Sequence, residues 1–194
     1  LVDQNKLREE INKIVARDNV KYVIGWEKGT YGFQVTPLFA TCSEDVDKLI
    51  FNPLCIHNLA VFPMLGEKLP LRNGAKEDTR KIGLIVKGCD SRAIVQIIQE
   101  KGLDRDDLVI IGIPCTGVID PKKINERFPN QTKTVDVEED GKNFIIKTDE
   151  GKHKVPKEKF LMNKCKSCEF PNPIIYDVLI GKEIKSAKKP DYKE

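Results

Sequence analysis

Residues 81–120, KIGLIVKGCDSRAIVQIIQEKGLDRDDLVIIGIPCTGVID, constrain the fold more than any other stretch. IGLIV (82–86) and LVIIGI (108–113) are short continuous apolar runs, the pattern of strands buried on both faces. Between them, Asp90 or Ser91 can cap a helix whose apolar side is Ala93, Ile94, Ile97 and Ile98, and Gly102 can stop it. A strand, a crossover helix of about three turns and a second apolar strand make a βαβ unit, so its strands should be parallel. Each strand runs into a cysteine: Cys89 follows Lys87-Gly88, and Cys115 follows Ile113-Pro114. Neighbouring strands lie ~4.8 Å apart. Both thiols are therefore expected on the carboxyl-end rim of the sheet, where open α/β sheets bind ligands.

The flanking sequence supplies what this unit packs against. Residues 3–18 carry Leu7, Ile11, Ile14 and Val15 at helical spacing. KYVIGW and GFQVTPLFA read as strands; Gly25, Gly29 and Gly32 match neither the dinucleotide nor the P-loop spacing and are read as turn or hairpin residues. SEDVDKLIF reads as a short helix with acidic residues in its first turn, and residues 64–80 as an exposed loop. Beyond the βαβ unit, DPKKINERF is a short helix with Pro121 in its first turn. Residues 131–156 alternate as strands around turns at Asp140-Gly141 and Glu150-Gly151, an antiparallel hairpin insert. KEKFLM (157–162) is a short helix, and a final helix is expected from Asn172 as cap, Pro173 at its first position and Gly181 at its end. The whole reads as one α/β domain over residues 1–182: a mostly parallel central sheet built around the βαβ unit, with a small antiparallel hairpin insert. Residues 183–194 form a basic tail, expected to be flexible or to lead into a further module.

With 194 residues and 40% hydrophobic composition, the chain can bury one real core. A net charge of +3 is too mild to imply nucleic acid, and no apolar run approaches the ~20 residues that span a bilayer. The first residues, LVDQNKLREE, hold no apolar signal core, so a cytoplasmic location with reduced thiols is expected. Six cysteines then weigh toward metal or redox chemistry, while only two histidines leave little for a histidine base.

Cys165-Lys-Ser-Cys168 is a CxxC motif, open to three readings: a dithiol redox pair, half of a zinc site, or two ligands of an iron–sulfur cluster. A thioredoxin-like pair should follow a strand and open a helix directly, whereas Cys165 follows helical residues. Structural zinc usually draws on paired short-spaced knuckles. One CxxC plus two isolated strand-end cysteines suits a 4Fe-4S cluster held by Cys89, Cys115, Cys165 and Cys168 better than zinc. A zinc-stabilised binding module using the same four thiols stays as the alternative, and a metal-free redox pair as a third. Cys55, in NPLCIHNLA, is a candidate additional ligand; His57 is read as a satisfied histidine. Gly88 and Gly117 are read as leaving room for a ligand. Lys87, Arg92, Lys164 and Lys166 crowd the same positions, to raise a cluster potential, dock an acidic partner or simply solvate the surface.

The order VKGCDSRAI, IGIPCTG, a hairpin region and KCKSC resembles the beta subunits of coenzyme F420-reducing hydrogenases and F420-linked formate dehydrogenases, as a divergent branch. The resemblance implies an α/β domain with one 4Fe-4S cluster on Cys89, Cys115, Cys165 and Cys168, and a bound FAD. It implies an electron-transfer subunit of an anaerobic oxidoreductase complex. Its partners would be other redox subunits of hydrogenase, formate dehydrogenase or heterodisulfide-reductase type, with a ferredoxin-type carrier as a further candidate.

Overall fold

The computed structural model describes residues 2–64, 78–129 and 135–185. The 64–80 loop and the basic tail therefore lie largely outside the described residues. A first helix, α1 (Gln4–Val15), is capped by the Asp3 carboxylate on the Asn5 N–H and buries Leu7, Ile11 and Ile14, the stripe expected of it. β1 (Val20–Lys28) and β2 (Val35–Ala40) then pair antiparallel. α2 (Ser43–Val46) is only one turn long, because the rest of its expected span turns into β3 (Leu49–Ile50), which pairs with β1. A 3-10 turn at Leu59–Val61 follows.

The βαβ unit forms as its pattern requires. β4 (Lys81–Val86) and β5 (Leu108–Gly112) are adjacent and parallel, Leu84 opposite Ile110, and every residue of β5 is buried. The crossover helix α3 (Gly88–Gln99) begins three or four residues earlier than a cap at Asp90 or Ser91 would set it. Lys87 is its cap residue, and the Asp90 carboxylate reaches back to the Lys87 N–H instead of capping in its own right. α3 closes with the Gly102 N–H bonded to Ile97 O and Lys101 in the left-handed region (φ 56°). The stop therefore comes before Gly102, which only completes it.

α4 (Pro121–Arg127) forms with Asp120 as its cap. β6 (Asp136–Asp140), β7 (Asn143–Thr148) and β8 (Gly151–Pro156) make a separate antiparallel sheet, turning at Gly141 (φ 56°) and Gly151 (φ 134°). Val137, Phe144, Ile146 and Val155 join that sheet to the main hydrophobic core, so the insert is packed down, not a free arm. A last strand, β9 (Val178–Leu179), lies parallel to β5 and replaces the expected final helix. Asn172 does not cap a helix: its side-chain amide exchanges two hydrogen bonds with the backbone of Ile184. The main sheet thus has the order β2-β1-β4-β5-β9, with β3 beside β1.

Candidate functional site

The two strand-end cysteines emerge on one rim. Cys89 is the second residue of α3, immediately beyond β4, and Cys115 lies three residues beyond β5. The antiparallel sheet then returns the chain through α5 (Lys157–Phe160), after which residues 160–162 zip against residues 118–120. Met162 N–H bonds Val118 O at 3.0 Å, Asp120 N–H bonds Phe160 O at 2.8 Å, and Ile119 bridges Leu161. This places α6 (Asn163–Lys166), which carries Cys165, beside the Cys115 loop. Cys168 follows on a turn in which its N–H points to Cys165 O at 3.4 Å. Cys89, Cys115, Cys165 and Cys168, from three separate stretches of chain, line one cleft of about 290 Å³ together with Lys87, Gly88, Phe170 and Pro171. A second cleft of about 280 Å³ continues past Cys89, Cys165 and Cys168 toward Arg92.

The segment after the CxxC seals this arrangement. Cys115 N–H bonds Pro171 O at 2.8 Å, and the buried Ser91 hydroxyl accepts from Ile174 N–H at 3.0 Å while donating to Gly88 O at 2.8 Å. Gly88 is where the two segments touch: a Cβ there would stand 2.0 Å from Phe170 O. Gly117 (φ 109°) would set a Cβ 2.7 Å from Leu161. Both glycines thus make room for the chain's own returning backbone and side chains, where the sequence suggested room for a ligand.

The thiols sit in different surroundings. Cys89 is an exposed residue, yet the partial burial of its thiol pushes it up to about 12, with the Asp90 carboxylate adding to the effect; its Sγ donates to Asp90 Oδ1 at 3.5 Å. Burial also raises Cys115, whose Sγ accepts the Gly117 N–H at 3.3 Å. Cys168 is exposed and Cys165 half-buried. The four line the cleft without closing on one point: among the described residues, no three His, Cys, Asp or Glu side chains form a group able to hold a metal ion. Cys55 is outside the cleft lining and fully buried, its Sγ accepting from Asn52 N–H at 3.4 Å and burial raising it to about 12. His57 is exposed and borders a different cleft.

The basic residues divide. Lys164 and Lys166 are exposed, and Arg92 stacks on the Phe170 ring at 4.1 Å. Lys87, in contrast, is not a surface charge at all. It is 2% exposed, paired with Asp90 at 2.9 Å and set 4.1 Å from the Trp26 ring centroid. Sequence reasoning missed this because a lysine directly after a buried strand points inward or outward according to the pleat, and a run apolar on both faces does not reveal the pleat.

The sequence pattern for the C terminus of the coenzyme F420 hydrogenase/dehydrogenase beta subunit matches residues 79–189, a stretch that holds all four cleft cysteines. An F420-dependent formate dehydrogenase 1 beta subunit of Methanococcus maripaludis is 28% identical over 171 residues, covering 82% of this chain and 42% of that protein. An F420-dependent formate dehydrogenase beta subunit of Methanocaldococcus jannaschii is 32% identical over 114 residues, covering 53% of this chain and 30% of that protein. The chain thus spans less than half the length of these relatives. A chain in the structure of a xenon-derivatised F420-reducing NiFe hydrogenase complex from Methanosarcina barkeri shares the fold, with a TM-score of 0.55 and 17% identity over 86% of this chain and 59% of that one.

Proposed function

This chain belongs to the coenzyme F420 hydrogenase/dehydrogenase beta-subunit family, and from that premise we propose that it is an electron-transfer subunit of an oxidoreductase complex, with a 4Fe-4S cluster held by Cys89, Cys115, Cys165 and Cys168. The observation that carries the proposal is the convergence of four thiols, and no imidazole, on a single cleft from β4, β5 and the distant CxxC. An all-thiol donor set is what such a cluster takes. The first turn of α3, whose leading N–H groups have no intrahelical acceptor, carries Cys89, and the Gly117 N–H already points at Cys115 Sγ, the polarity an anionic thiolate cluster needs. The chain's own part is to hold the ligands, to supply these donors and to cover one side with Phe170 and Pro171. A bound cluster would supply one-electron transfer.

The raised Cys89 and Cys115 thiols favour the protonated form, so metal loading has to displace their protons. The relatives from the two methanogens are F420-dependent formate dehydrogenase subunits. By that likeness, the electrons pass between other redox subunits and a flavin, FAD, bound on this chain or on a partner.

Single serine substitutions test the ligand set. In protein reconstituted with iron and sulfide without oxygen, Cys89→Ser, Cys115→Ser, Cys165→Ser and Cys168→Ser should each lower iron retention severalfold, while Cys55→Ser and Cys42→Ser keep it. Undiminished iron in any two of the first four would overturn this assignment. Zinc retained in place of iron would favour a structural metal module.

A further inference from the structure

We propose that the buried Lys87–Asp90 ion pair sets the electrostatic potential of the cysteine cleft: the ammonium favours added negative charge there and the carboxylate opposes it. The inference rests on the cluster reading above.

The geometry is that of a fixed charge. Lys87 Nζ has three protons and three oxygen partners: Cys55 O at 3.0 Å, His57 O at 3.0 Å and Asp90 Oδ2 at 2.9 Å. The Trp26 ring covers it at 4.1 Å from its centroid. Asp90 is 1% exposed and divides its oxygens: Oδ2 takes the Lys87 ammonium and the Lys87 N–H, while Oδ1 faces Cys89 Sγ at 3.5 Å. The pair is therefore polarised, with its negative end toward the cysteine and its positive end toward the 55–57 carbonyls.

A mere clamp is disfavoured on two physical grounds. First, surface charges such as Lys164 and Lys166 are screened by water and salt, whereas a buried charge acts through a medium of low dielectric constant. Second, a buried ion pair is a weak structural device, because a well-packed apolar replacement is often as stable or more so. Lys87 and Asp90 lie on either side of a cleft cysteine in sequence; Lys87 lines the cleft and Asp90 touches it through Cys89 Sγ, so their desolvation is offset where charge matters. Added electrons on a cluster there are stabilised by Lys87 and destabilised by Asp90. The two residues are positioning and tuning groups, not ligands.

The two members of the pair make opposite predictions. Wild type, Lys87→Met, Asp90→Asn and the double variant would be reconstituted anaerobically, counted for iron and titrated by electron paramagnetic resonance against potential. At equal iron content, K87M should have a lower midpoint potential than wild type and D90N a higher one, with the double variant between them. A structural clamp would move both single variants the same way or leave both unchanged, and either result overturns the inference. If K87M fails to fold, D90N decides alone, since asparagine can keep the bond to the Lys87 N–H: a midpoint that does not rise sinks the idea. A wild type that takes up no iron fails the cluster reading itself, and this inference with it.

Discussion

Gly88 shows how much of the site rests on single atoms. Alanine at the start of a helix is favoured over glycine by up to ~1 kcal/mol in propensity. Here its Cβ would meet Phe170 O at 2.0 Å and Asn172 O at 2.8 Å, both backbone atoms that cannot rotate aside. Overpacking of this kind costs about 1–3 kcal/mol. Gly88→Ala should therefore destabilise by roughly 2 kcal/mol in urea unfolding and open the contact between the 170–172 segment and α3. A neutral or stabilised variant would mean that propensity outweighs the clash. At this scale the cleft cysteines were legible because strand ends and a CxxC are local patterns. The reason for Gly88 was not: the backbone it admits lies far along the chain, at Phe170 and Asn172. The burial of Lys87 was not legible for the related reason that its partners, Trp26 and the 55–57 carbonyls, lie 30 or more residues upstream.

Among the elements, β4, α3 and β5 follow their pattern because apolar runs and helical spacing agree with the tertiary structure. The segment after Asn172 does not. Asn-Pro and a later glycine are good local signals for a helix, yet β5 offers an unpaired edge that an extended segment can fill. Two residues of β9 are too few to hold that edge alone. Asp177 extends the pairing: its N–H bonds Ile110 O at 2.8 Å, its carboxylate takes the Ile110 N–H at 2.7 Å, and Arg105 binds the other oxygen at 2.5 Å. Replacing it leaves the Ile110 N–H without its charged acceptor, a loss of about 1–3 kcal/mol. Asp177→Ala should lower stability within that range and speed hydrogen exchange at the Ile180 N–H, which bonds Gly112 O in the same ladder. Unchanged exchange at Ile180 would show that β9 is held by Val178 and Leu179 unaided. The antiparallel insert, by contrast, was readable from its Asp-Gly and Glu-Gly turns. What the turns did not reveal is its docking, in which Glu139 binds Thr116, the residue after Cys115, at 2.5 Å.

For the molecule as a whole, the family match covers the cleft, but the first sixty residues are not incidental to it. They supply the ring and carbonyls around Lys87 and, through Pro53 O, the acceptor for Ile119 N–H at 2.8 Å. No helix among the described residues is long and apolar enough to cross a membrane. The chain spans 42% of the Methanococcus maripaludis relative, so an electron donor, an acceptor and a flavin belong to the proposal and not to the fold. The central claim is narrower: four cysteines from three stretches of chain hold one iron–sulfur cube. The most direct test is the metal content of protein purified without oxygen, with iron, acid-labile sulfide and zinc measured on the same sample. About four irons and four sulfides per chain, with a broad absorption band near ~400 nm, are expected of one cube. One zinc per chain, with no iron and no labile sulfide, would contradict the account.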